Sequence, residues 1–225
     1  MCFSPTTSFG SGIVLTGIGV ATMTKVRTRN RLLFASIPFL FGVQQFAEGF
    51  VWMGLEDPGM RYVVGTATTV YLLFAHILWP SIVPLAVMRM EPQEQMRRRL
   101  RIPLAAGLLT SLYFAYCMVS YTAIASIDGY HIKYLTTYPD APAPVVGLLY
   151  MSGTLAPFFL SSLRRTWLFG AAAALAYAFT YALYTEYIVS VWCFFAALLS
   201  MIVYLILYPP PMPQGHAGDM TAQVR

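Results

Sequence analysis

The sequence predicts an all-α integral membrane protein with seven transmembrane helices, its N-terminus outside and its C-terminus cytoplasmic. Three observations predict it. First, the 225 residues are 58% hydrophobic and only 10% charged, where soluble domains carry about 25% charged residues; the mean hydropathy is +0.63. Second, the apolar runs approach or exceed the roughly 17–25 residues needed to cross a bilayer. Third, the charge of the connections alternates. Lys25, Arg27, Arg29 and Arg31 follow the first run, Arg89, Arg97, Arg98, Arg99 and Arg101 the third, Arg164 and Arg165 the fifth, and Arg225 closes the tail. Only Arg61 and Lys133 are left for the other side. Basic connections stay in the cytoplasm, so this alternation selects an odd number of spans with the N-terminus outside.

The spans follow in order. The first, about 9–24, has no basic residue before it, so a cleavable signal peptide is not expected. The second, 32–54, is parted from the third, 63–88, by the turn residues Asp57, Pro58 and Gly59; Pro80 and Pro84 should bend the third. The fourth, 102–125, and the fifth, 144–163, begin at Pro103 and Pro144, where a missing N–H costs little. Spans at 167–185 and 187–208 complete the set. Segment 126–143 is the one long outer connection, expected as a tyrosine-rich interfacial loop or a lid. Residues 1–208 are therefore one membrane domain, and 209–225, opening on Pro209, Pro210 and Pro211, a flexible cytoplasmic tail. The net charge of +5 serves topology, and no nucleic-acid partner is expected.

Polar residues inside the apolar runs point to a site. Gln44, Gln45 and Glu48 interrupt the second span, and a carboxylate in hydrocarbon costs about 2.5–3.5 kcal/mol unless it meets a partner or a wet cavity. Helical spacing sets Phe41, Gln45, Glu48 and Trp52 along one face. With the orientation above, Glu48, Trp52, Tyr150, Tyr181 and Cys193 fall in the outer halves of their spans, Tyr113 centrally or in the outer half, and His76 near the midplane. The inner halves are plainer. An outward-facing polar pocket over an apolar floor is expected, its ligand held by Glu48, Gln44, Gln45, His76, Trp52, Tyr113, Tyr150 and Tyr181.

A metal ion is a weaker possibility. Cys2, Glu48, His76, His131 and Cys193 supply donor types that bind zinc or copper, yet no HxxxH, HxxE or CxxC lies within a span. His76 is expected beside Glu48, because spans joined by a short turn are neighbours. Cys2, Cys117 and Cys193 all map outward, which allows one disulfide or none. No span contains a lysine for a retinal-type Schiff base, no paired histidines suit bis-axial haem, and no glycine-rich phosphate loop or GxSxG occurs.

The segments MCFSPTTSF (1–9), QQFAEGFVW (44–52), LWPSIVPLA (78–86), HIKY (131–134) and SVWCFFAALLS (190–200) resemble a family of bacterial multi-pass membrane proteins of unknown function. The resemblance implies an integral protein of a bacterial inner membrane and no particular activity. It also draws attention to Cys2, Gln45, Glu48, Trp79, His131 and Cys193. A binding or sensing protein for a small molecule, lipid headgroup or metal is the leading expectation. A membrane-embedded enzyme, metal- or thiol-dependent, and a proton- or cation-coupled carrier are the alternatives.

Overall fold

The computed structural model describes residues 4–139 and 143–208. Cys2 and the expected tail at 209–225 lie outside the described residues.

The chain is mostly helical. Helix α1 spans Pro5–Lys25, α2 Arg29–Ala35 and α3 Ile37–Glu56. A 3-10 turn at Pro58–Val63 leads into α4, Val64–Leu72, which passes through a π-helical turn, Leu73–Leu78, into α5, Trp79–Met90. Short α6, Glu94–Arg99, precedes α7, Arg101–Ser120. Two strands follow, β1 Ala123–Asp128 and β2 His131–Thr136. Then come α8 Ala143–Thr154, α9 Ala156–Leu160, α10 Arg164–Leu183, α11 Ile188–Ser200 and α12 Ile202–Leu207.

Five helical stretches among the described residues are long and apolar enough to cross a membrane: Pro5–Lys25, Pro58–Met90, Glu94–Ser120, Arg164–Leu183 and Thr185–Leu207. Two of the seven expected spans do not qualify by themselves. Helix α3 is long enough, but Gln44, Gln45 and Glu48 dilute its apolar character. The fifth expected span is broken at Leu155 into α8 and α9.

The all-α expectation is corrected in the long connection expected on the outer side. Residues 123–136 form an antiparallel hairpin, with Asp128 paired to His131 across a two-residue turn. Gly129 takes φ 59 at the first turn position, as a II′ turn requires. The fourth span thus ends at Ser120 rather than 125, and its last expected residues belong to β1.

Helix α3 passes through the middle of the molecule in three tiers. At its start, Ile37 and Phe41 join an apolar core with Leu15, Phe34, Val87 and Phe158. At its end, Val51 and Trp52 pack under the hairpin against Ala67, Ala125 and Ile132. Gln44, Gln45 and Glu48 lie between these tiers, all fully buried. Small residues let α1 lie close along α3: a Cβ on Gly19 would overlap the backbone of Phe39, and one on Gly42 the Thr16 side chain.

Two prolines shape the third span. The π turn hands the Trp79 N–H to the Phe74 carbonyl. By the same pattern the Ala75 carbonyl would wait for residue 80, a proline with no N–H, and Tyr150 Oη of α8 donates to it instead at 2.6 Å. Ser111 Oγ of α7 donates to the Ile77 carbonyl at 2.7 Å. Pro84, in turn, leaves the Pro80 carbonyl without its helical partner. That oxygen presses on Gly107 so closely that any Cβ there would overlap it, and a Cβ on Gly153 would lie 3.0 Å from it. Helices α5, α7 and α8 meet at this point.

Contacts gather the basic connections at one end. Arg31, Met90, Arg164, Arg165 and Leu207 line one cleft, and Glu91 accepts hydrogen bonds from Ser161 and Ser162. The hairpin lies against the start of α11, where Lys133 pairs with Glu186 and Tyr187 Oη donates to Asp128 Oδ2 at 2.8 Å.

Candidate functional site

Two buried polar regions flank α11. The first surrounds Glu48. Ser190 Oγ donates to its Oε1 at 2.7 Å, and Gln45 Nε2 lies 3.5 Å from its Oε2. Ser11 Oγ of α1 donates to Gln45 Oε1 at 3.0 Å. Trp79 Nε1 donates to Gln44 Oε1 at 2.7 Å while its indole stacks on Phe41, ring centroids 3.8 Å apart. The carboxylate therefore ties α3 to α11, and the two glutamines tie α3 to α1 and α5.

The second region is a cavity of about 330 Å³ between the π turn, α7, α8, α10 and α11. Six aromatic side chains line it: Tyr113, Phe114, Tyr138, Tyr150, Tyr177 and Trp192. His76, carried by the π turn, stacks on Phe114 with centroids 4.3 Å apart. Trp192 meets Tyr150 and Tyr177 edge-on at 5.7 and 5.3 Å. Cys193 lines the cavity as a buried free thiol. Three lining side chains hold a buried polar atom with no hydrogen-bond partner: His76 Nδ1, Tyr138 Oη and Trp192 Nε1. His76 is 8% and Trp192 9% exposed, so water does not serve them from bulk. Unpaired buried polar groups are costly, about 1–3 kcal/mol each, and native proteins keep few without a reason. Burial pushes the Tyr138 phenol up to about 12, so it stays a donor at neutral pH.

Beneath the cavity Tyr150, Trp192 and Cys193 also border a small apolar void of about 40 Å³, closed below by Ile37, Phe41 and Phe158. Above it, Thr136, Tyr138 and Pro139 continue the chain from β2 across the mouth. Tyr113 Oη donates to the Pro139 carbonyl at 3.4 Å, and Tyr71 stacks on Tyr134 at 4.8 Å. The hairpin is thus coupled to the cavity roof by packing and by a hydrogen bond.

The residues singled out from sequence divide between these regions. His76, Tyr113, Tyr150 and Cys193 line the cavity. Glu48, Gln44 and Gln45 form the cluster on the other side of α11. Trp52 packs under the hairpin, 2% exposed, and Tyr181 is 58% exposed and stacks on Tyr177 outside the cavity. His131 lies on the hairpin between Tyr184 and Tyr187, and its burial lowers its pKa. His76 belongs to the cavity wall, and Glu48 is not among the lining residues. Among the described residues no three of His, Cys, Asp or Glu come together to hold a metal ion. Cys117 and Cys193 are both free and buried. Sequence reasoning passed over Phe114, Tyr138 and Trp192. Their only signal is aromatic character, which abounds in this chain.

The chain belongs to a family whose model matches residues 1–215 and whose description is Family of unknown function (DUF6629). No curated protein and no solved structure matches it.

Proposed function

We propose that this chain is a membrane-embedded binding protein whose ligand occupies the aromatic cavity beside α11. The observation that carries this reading is a cavity large enough for a small molecule, lined by His76, Tyr138 and Trp192, side chains that each hold a buried polar atom with no hydrogen-bond partner. An indole N–H and a phenol O–H call for acceptors. Among the described residues no Asp, Glu, Lys or Arg lines the cavity. The ligand that fits is uncharged, mostly apolar, ring-bearing, and carries carbonyl or ether oxygens.

In this reading Glu48 is a positioning residue. Its bond to Ser190 fixes α11 in rotation, which sets Trp192 and Cys193 in the wall. The chain crosses a bacterial inner membrane seven times, with α3 and the α8–α9 pair crossing inside a sheath of the more apolar helices. Clustering of the basic connections at one end supports the cytoplasmic placement of that end.

Gly147 supplies the test. It lines the cavity, and a Cβ there meets nothing within 4 Å. Gly147→Phe should fill the space without disturbing the backbone. The measurement is mass spectrometry of the organic extract from protein purified in mild detergent, joined to a melting screen with neutral aromatic carbonyl compounds. We expect a compound retained by, or stabilising, the parent chain and not Gly147→Phe. Equal retention and equal melting shifts in both proteins would sink the reading.

A further inference from the structure

We propose a second, separate site: the cleft between α2, the α9–α10 turn and the end of α12 binds the phosphate of an anionic phospholipid. The cleft holds about 210 Å³ and brings together Arg31, Arg164 and Arg165 over a floor of Met90, Ile206 and Leu207. These residues come from four separate stretches of the chain, so folding builds the arrangement.

Charge argues for an anion. The ion pairs among the described residues join Glu94 to Arg97 and Arg98, and Lys133 to Glu186. None involves the three arginines of the cleft. Like charges gathered without a counter-ion repel, and an arginine fork matches two phosphate oxygens at once. The nearby carboxylate does not neutralise them. Glu91 follows Met90, is 3% exposed, and takes hydrogen bonds from Ser161 Oγ, Ser162 Oγ, Ser162 N and Gln93 N.

Geometry argues for a prepared site. Arg165 Nη1 donates to the Leu205 carbonyl at 2.9 Å, which holds one guanidinium in place before any ligand arrives. Helix α10 begins at Arg164, and Leu163 before it offers no side-chain cap, so the positive end of the helix adds to the arginines.

Surroundings argue for a lipid rather than a soluble phosphate ester. Leu32, next to Arg31, is 46% exposed, and Leu205, whose carbonyl anchors Arg165, is 53% exposed. A phosphate at the arginines would lay its acyl chains across these leucines. Basic pockets between membrane helices hold anionic headgroups by this combination of charge and apolar flank.

The probe is phosphatidylglycerol against phosphatidylcholine of the same chain length, added to delipidated protein and read by native mass spectrometry as bound copies. The parent chain should retain phosphatidylglycerol in preference to phosphatidylcholine, and excess inorganic phosphate should not displace it. Arg31→Gln with Arg164→Gln should weaken retention about thirtyfold, at roughly a factor of five per lost charge. Arg97→Gln with Arg99→Gln on α6, with the same charge loss, should leave it within about twofold. Arg31→Lys with Arg164→Lys keeps the charge but not the fork, guards against misfolding, and should restore part of the binding. Equal retention of the two lipids overturns the proposal, as does an unchanged Gln double variant. Displacement by inorganic phosphate assigns the cleft to a soluble ester and overturns the lipid assignment. None of these outcomes touches the aromatic cavity.

Discussion

Helix α11 separates two buried polar regions that obey different rules. On the α3 side, Glu48, Gln45, Ser190 and Ser11 form a linked chain of hydrogen bonds, and Gln44 accepts from Trp79. On the other side, His76, Tyr138 and Trp192 border open space with atoms left over. Polar groups that close on one another fix helices. Polar groups that do not are kept at a cost, and a third party that completes them recovers it. The buried carboxyl of Glu48 is the more conspicuous feature of the sequence, yet its neighbours use it as a strut. The contrast is one of degree, since Gln44 Nε2 also lacks a partner.

The largest effect should come from breaking the closed side. Glu48→Ala leaves Ser190 and Gln45 facing a gap and should cost about 2–4 kcal/mol, lowering the melting temperature in detergent and the yield. Glu48→Gln keeps an acceptor for Ser190 and should recover more than half of that. If Glu48→Ala melts like the parent, the strut is not one.

Next is the open side. Trp192→Phe deletes an N–H that no protein group accepts, so stability should change by less than about 1 kcal/mol, with either sign. Ligand affinity, measured on whatever compound the cavity retains, should fall about tenfold, the worth of one hydrogen bond. A Trp192→Phe protein that unfolds, or binds as well as the parent, erases the distinction between the two sides.

A smaller effect sharpens the comparison at a third buried polar group. Burial raises the Glu91 pKa, but hydrogen bonds from Ser162, Gln93 and Ser161 outweigh it and hold the carboxyl below its ordinary 4.5. A depressed carboxyl stabilises fully above the unfolded value, and that contribution is lost as pH falls through the folded one. Melting temperature should therefore drop as pH is lowered below about 4.5, and Glu91→Gln should flatten that part of the profile. The smallest effect belongs to the exposed pair Lys133–Glu186. Lys133→Met should shift melting at the edge of detection, while hydrogen exchange along β1 and β2 quickens.

Much of this was legible in the sequence, and the limits have physical causes. Hydropathy and the basic connections mark the membrane class, because both are sums over many residues. Glu48, Gln44 and Gln45 stand out since hydrocarbon penalises them wherever they point. Their partners do not stand out: that Ser190 donates to Glu48 depends on helix rotation, which spacing along the chain does not carry. The hairpin left a readable signal in the Asp128-Gly129 pair and the alternation after it, yet the surrounding apolar runs favour a helical reading. The cavity was the least legible. An empty space is what side chains fail to fill, and aromatic residues in a membrane protein look alike whether they pack or line.

The meeting of Pro80, Gly107 and Gly153 has a consequence for inheritance. Pro84 frees a carbonyl on one helix, and two others accept it by giving up a side chain. Positions 84, 107 and 153 thus form one linked choice spread over seventy residues of chain. A relative that gains a Cβ at 107 should also have lost the proline at 84 or spread α5 from α7. A Cβ at 107 alone overlaps the Pro80 carbonyl, so the three positions should drift together or stay put.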